Sequence, residues 1–159
     1  MYDRTKAVEY AKRWWNKRNP SFYNFDNLGG DCTNFISQCL LYGGYKMKYD
    51  VLNGWFYETL SHRSPSFTGV NEFYHFSTKN TQNLGVKAVI CNINDLEIGD
   101  VVQLRQSLNR FTHSLLVTNV LNNGDNIKDR ILVSTHTIDS FDRKLSDYYM
   151  LEYRCLKMI

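Results

Sequence analysis

The sequence has no Cys-x-x-Cys pair, no run of basic residues and no apolar stretch long enough to cross a membrane. Each absence excludes a class of function. Without paired cysteines, and with His62, His75, His113 and His136 scattered, the spacing of a zinc site is missing, so no metal ligand and no cofactor is assigned. The 19 Lys and Arg against 16 Asp and Glu leave a net charge of only +3, and Lys12, Arg13, Lys17 and Arg18 read as the solvated face of one helix. Nucleic-acid binding needs a concentrated patch, so none is expected. Weak attraction to an anionic polymer such as a cell wall is compatible with the balance. No segment reads as a membrane span, and no charged-then-apolar leader opens the chain. The expected location is the cytoplasm, or the cell envelope and exterior if the chain is a domain of a longer exported protein. Repeats, linkers and low-complexity segments are also lacking, and the whole of residues 1–159 reads as a single domain. No feature encodes an oligomeric state.

What is present is enough for a core. Of 159 residues, 43% are hydrophobic and 22% charged, the balance of a folded globular chain. Aromatics are abundant, with 11 Tyr, 9 Phe and 3 Trp; any single ring reads first as packing, though some are candidates for lining a groove. The four cysteines read as free thiols, buried at Cys39, Cys91 and Cys155, with Cys32 set apart by its surroundings. A disulfide pairing does not follow from sequence.

Ala7, Val8, Ala11, Trp14 and Trp15 recur at helical spacing, which predicts a helix from about Arg4 to Arg18, capped by Asp3 and ended by Asn19 and Pro20. An aromatic-rich loop, Ser21 to Asp31, closes on Gly29 and Gly30. A second helix is predicted from Cys32 to about Tyr42, with Phe35, Ile36, Cys39 and Leu40 inward and Gly43 and Gly44 as its stop. A short helix is expected over about Val70 to Ser77. Strands follow at Val86 to Cys91, Asp100 to Gln106, His113 to Leu121, Arg130 to His136 and Met150 to Met158. The third and fourth form a hairpin across the turn cluster Asn122 to Asp125. Helices first and strands later predict an α+β fold, an antiparallel sheet backed by the N-terminal helices.

Gly29-Gly30-Asp31-Cys32-Thr33-Asn34-Phe35 is the segment that carries chemistry. The glycines allow a tight turn and close approach of a substrate chain. With Asp31 capping, Cys32 lies in the first helical turn, where free N–H groups and the helix dipole favour a thiolate and lower the thiol pKa. One of those N–H groups is also placed to face an oxyanion. By itself such a cysteine is as well explained as a small buried residue. Two histidines add to it. His113 opens an apolar strand, a rigid position for a general base. His136 ends the neighbouring strand, and pairing of the two strands would bring the rings to one sheet edge, where a third group can orient the base.

Gly29 to Gln38, Gly-Gly-Asp-Cys-Thr-Asn-Phe-Ile-Ser-Gln, resembles the signature of a bacterial putative amidase domain family. The resemblance extends through Tyr2-Asp3-Arg4, Trp15 to Pro20, Gly99 to Gln103, His113-Ser114-Leu115 and His136 to Asp139. That family is similar in turn to NlpC-type and CHAP-type cell-wall peptidases, whose fold is papain-like. The resemblance implies a papain-like fold with Cys32 as nucleophile, His113 as base and His136 as third member. Asp139 is the rival for that third role. Asp31 and Tyr23 would form the oxyanion side and wall of the site. Asn34 departs from the peptidase pattern, where a small Gly follows the nucleophile. Tyr45 to Gly85 has no counterpart there, and its Trp55, Phe56 and Tyr57 are candidate groove contacts. The expected activity is cysteine-dependent cleavage of amide bonds, with peptides or cell-wall peptide stems as substrate. An acyltransferase and a non-catalytic binding module are the alternatives.

Overall fold

The computed structural model describes residues 1–107 and 109–159. Four helices precede the sheet: α1 (Arg4–Trp14), α2 (Cys32–Tyr42), α3 (Pro65–Thr68) and α4 (Val70–Lys79). Six strands follow, β1 (Ala88–Cys91), β2 (Val101–Arg105), β3 (His113–Val120), β4 (Ile131–Thr135), β5 (Ser140–Lys144) and β6 (Glu152–Met158), with the one-turn helix α5 (Ile127–Arg130) before β4. They make one antiparallel sheet in the order β1-β6-β2-β3-β4-β5. The fold is α+β, as the order of helical and strand patterns predicted.

Side-chain alternation along the central strands splits the core into two layers. Val101, Leu116, Leu156 and Met158 pack under the helices with Phe35, Ile36, Leu40, Trp55, Phe67 and Phe73. Val102, Leu104, Leu115, Val117, Ile131 and Val133 pack on the opposite face with Leu145 and Cys155. The helical layer explains the aromatic load. Trp55, Phe56 and Tyr57 are buried, so they are core and not groove contacts. Their neighbour Phe67 sits on α3, a turn the sequence reading did not anticipate.

Helix boundaries show what the local sequence controls. Asp3 caps α1 as expected, its carboxylate accepting from the Lys6 N–H at 3.1 Å. The helix stops at Trp14 instead of Arg18, and Arg18 is not on a solvated face. Its guanidinium is turned inward onto Asp26 and Asp139, each at 2.9 Å. α2 begins at Cys32 and ends at Tyr42, as predicted. The β3–β4 pairing is present, but α5 is interposed between the Asn122–Asp125 turn and β4, held by an Asn126–Asp129 capping box. Strand β5 is a further difference, since Ser140 to Lys144 lacks a recognisable apolar alternation. The four cysteines are free thiols; Cys39 and Cys155 are buried, whereas Cys91 is half-exposed.

Candidate active site

The site is assembled where α2 meets the start of β3. Cys32 is the first residue of α2 and is only 5% exposed. Thr33 fixes the helix to the sheet through a hydroxyl contact with Ser114 at 2.9 Å, and Gln103 of β2 donates to the same Ser114 oxygen at 3.1 Å. Gln103 accepts in turn from Arg154, whose guanidinium lies between the rings of Tyr74 and Phe111. Sequence reasoning did not single out this chain of buried polar groups. Its signal was present in Gln103 and Ser114, polar residues inside otherwise apolar strands.

Sheet alternation gives His113 the side shared by Leu115 and Val117, and its ring faces Tyr148 with centroids 6.1 Å apart. Cys32 arrives from the helical side. Both line one cavity of about 290 Å³ together with Gly30, Thr137, Ile138 and Tyr148. A larger cavity of about 490 Å³ lies between the 48–54 loop and α4, bordered by Lys48, Glu72 and His75. No cysteine lines it.

The electrostatics of this pair differ from the expectation of a thiolate. Burial pushes the Cys32 thiol up, against the opposing pull of the Ser114 backbone N–H and the Thr33 hydroxyl. Desolvation outweighs the helix amino end because the side chain is largely withdrawn from water. Burial likewise pulls His113 down to about 4. At neutral pH both groups are therefore uncharged. Among the described residues His113 makes no hydrogen bond, and Cys32 has the Thr33 hydroxyl at 3.8 Å. A neutral imidazole and a neutral thiol therefore line the same cavity.

Asp31 does not cap α2 through its side chain. Its Oδ1 accepts from the Phe25 N–H and from Asn34 Nδ2, and its Oδ2 lies 2.6 Å from His136 Nδ1. The consequence is an uncapped first turn. The Cys32 N–H has no partner among the described residues.

His136 is placed away from His113. It is 1% exposed, stacks on Phe35 with ring centroids 3.9 Å apart, and spends both nitrogens elsewhere, Nδ1 on Asp31 and Nε2 on the Trp14 carbonyl at 2.9 Å. The Asp31 carboxylate and the Trp14 carbonyl thus hold the ring from two sides. Strand parity is the reason for the separation: His136 projects to the helical side and His113 to the other. Asp139 is likewise engaged, by both terminal nitrogens of Arg18. Neither candidate third member touches the His113 ring. Tyr23 and Asp31 lie outside the cavity lining: Tyr23 packs edge-on against Phe25, and Asp31 is taken up by Phe25, Asn34 and His136.

Between His136 and Asp139 the chain turns through Thr137 and Ile138, with φ of 70° and 57°. Left-handed backbone costs roughly 1–2 kcal/mol per L-residue, and β-branched residues are the least suited to it. Gly30, at φ 96°, approaches this turn so closely that a Cβ there would lie 3.4 Å from Thr137 Oγ1. Thr137 and Ile138 line the cavity.

The chain matches the family model described as "Putative amidase domain" over residues 1–157. It is 36% identical over 121 residues to "Uncharacterized protein YhbB" of Bacillus subtilis (strain 168), a match covering 74% of this chain. The match spans only 37% of that relative's length. No solved structure gives a significant match.

Proposed function

The chain belongs to the putative amidase domain family, a membership that points to hydrolysis of carbon–nitrogen amide bonds, and from that premise we propose that it is a cysteine hydrolase with Cys32 as nucleophile and His113 as general base. The observation that carries the reading is the shared cavity. Two residues far apart in sequence, one at a helix start and one at a strand start, line the same cavity.

In the proposed reaction a substrate amide carbonyl enters the cavity beside the sulfur. His113 takes the thiol proton as Cys32 attacks the carbonyl carbon, and the oxyanion faces the free N–H of Cys32. Collapse breaks the carbon–nitrogen bond. The leaving amine takes the proton from His113, and the acyl group stays on sulfur as a thioester. Water then gives a proton to His113 and attacks the thioester, releasing a carboxylic acid, and the proton returns to Cys32. No cofactor or metal takes part in this scheme. We extend the proposal to a papain-like fold type, with the nucleophile at a helix start and the base at a strand start. The proposed substrates are peptides, those of bacterial cell-wall peptidoglycan first.

The test is digestion of cell-wall preparations by the parent, Cys32→Ala and His113→Ala proteins, with the released termini identified by mass spectrometry. Each substitution is expected to lower the rate by at least about a thousand-fold. A Cys32→Ala protein that digests as fast as the parent removes the proposal. A product carrying an added amine in place of water makes the chain an acyltransferase instead.

A further inference from the structure

The turn that lines the cavity beside Cys32 is built from residues ill suited to it. Thr137 and Ile138 both hold positive φ, the sign pattern of a type I′ hairpin turn, whose two central positions favour Asn-Gly or Asp-Gly. Two consecutive β-branched residues are the opposite choice. Their conformation is enforced from both flanks. His136, immediately before, is clamped between Asp31 and the Trp14 carbonyl, and Asp139, immediately after, is gripped by Arg18. Strain held in place by its surroundings, at the rim of a cavity, is a mark of function.

The side chains indicate which function. Thr137 and Ile138 both line the cavity that contains Cys32 and His113. Ile138 is 79% exposed and Tyr149, also lining it, is 68% exposed, so an aliphatic and an aromatic side chain stand uncovered at the mouth. An Asn-Gly turn would be easier to form and would remove the apolar wall.

We propose that the Thr137–Ile138 turn determines specificity, with Ile138 contacting an apolar side chain next to the scissile amide of a peptide substrate. The inference rests on the hydrolase reading given above. His136 and Asp139 are then positioning residues that act through the turn.

Three proteins test it: the parent, the double variant T137N/I138G, and Ile138→Asn as a milder change. Each is given cell-wall digests and a mixed-sequence peptide library, with the residue flanking each cut read by mass spectrometry. Thermal unfolding and the rate of Cys32 alkylation by iodoacetamide are measured in parallel. The parent is expected to prefer apolar residues beside the cut. The variants should lose that preference and at least ten-fold in kcat/KM, while Cys32 alkylates within two-fold of the parent rate. T137N/I138G should also melt higher, by about 3 °C or more. Cys32-dependent cutting with unchanged preference in the variants overturns the inference alone. So does an equal loss on every flanking residue, or a lower melting temperature in both variants, since the turn would then serve stability. A parent that cuts nothing, or cuts equally well as Cys32→Ala, overturns the hydrolase reading itself.

Discussion

His113 carries a liability that follows from its position. It is buried, makes no hydrogen bond among the described residues, and burial alone holds it at about 4 against an ordinary value of 6.5. The unfolded chain therefore binds a proton more readily than the folded one. The stability due to the neutral ring is fully present above about pH 6.5 and is lost as pH falls toward 4, a loss of up to about 3 kcal/mol. Urea unfolding at pH 7.5 and at pH 4.5 should show this drop in the parent and a smaller one in His113→Gln; equal drops would mean the ring is solvated. The same ring sets the acid limb of the proposed activity, because a protonated imidazole takes no proton from the thiol. The rate should hold from neutrality down to about pH 5 and fall only as the pH approaches 4, an acid limb lower than an ordinary histidine gives. A limb near 6.5 would contradict the buried, neutral base.

Between α1 and α2 the decisive contacts are those of Asp31. Its carboxylate joins the Phe25 backbone, Asn34 and His136, while His136 reaches the last carbonyl of α1. A negative group at the amino end of α2 and a ring donor at the carboxyl end of α1 both suit the helix dipoles. Asp31→Ala would strand the His136 ring, the Asn34 amide and one backbone N–H in a region from which water is excluded. It is expected to cost about 3–5 kcal/mol, read from the urea midpoint. Asp31→Asn keeps an acceptor for part of the set and should cost less. Equal, small losses would show that Asp31 is dispensable to the helix junction. This cluster also explains why the sequence was legible only up to a point. His136 and Asp139 stand out as chemistry-bearing residues at a strand end, and they do lie beside the site. Their partners, Trp14, Arg18 and Asp31, come from elements whose approach is set by the tertiary packing of α1, and the local pattern around Arg18 read as solvent-facing.

Across the whole chain, periodic elements were readable and the contacts joining distant segments were not. The pattern from Cys32 to about Tyr42 carries its own start and stop, and α2 spans Cys32–Tyr42. The α+β order followed from the same kind of local signal, whereas β5 and α3 depend on partners and left none. The clasp that ties the two ends of the chain together is of the second kind. Arg4 of α1 donates to the Ile98 and Met158 carbonyls and to Asp100, at 2.9, 2.6 and 2.6 Å. Asp100 is fully buried and also accepts from the backbone N–H groups of Met158 and Glu97. One carboxylate thus joins the first helix, the turn before β2 and the end of β6. Asp100→Ala leaves three donors without an acceptor and should lower stability by about 3 kcal/mol or more, with faster hydrogen exchange at the Met158 amide. Leu104, opposite His113, lies four residues along β2 from Asp100, roughly 13 Å at strand spacing. The clasp is therefore at the end of the strand away from the cavity. At a temperature where Asp100→Ala remains folded, its cell-wall digestion rate should match the parent's within about two-fold. A large loss of rate in the folded variant would mean that the clasp and the site are coupled through the sheet.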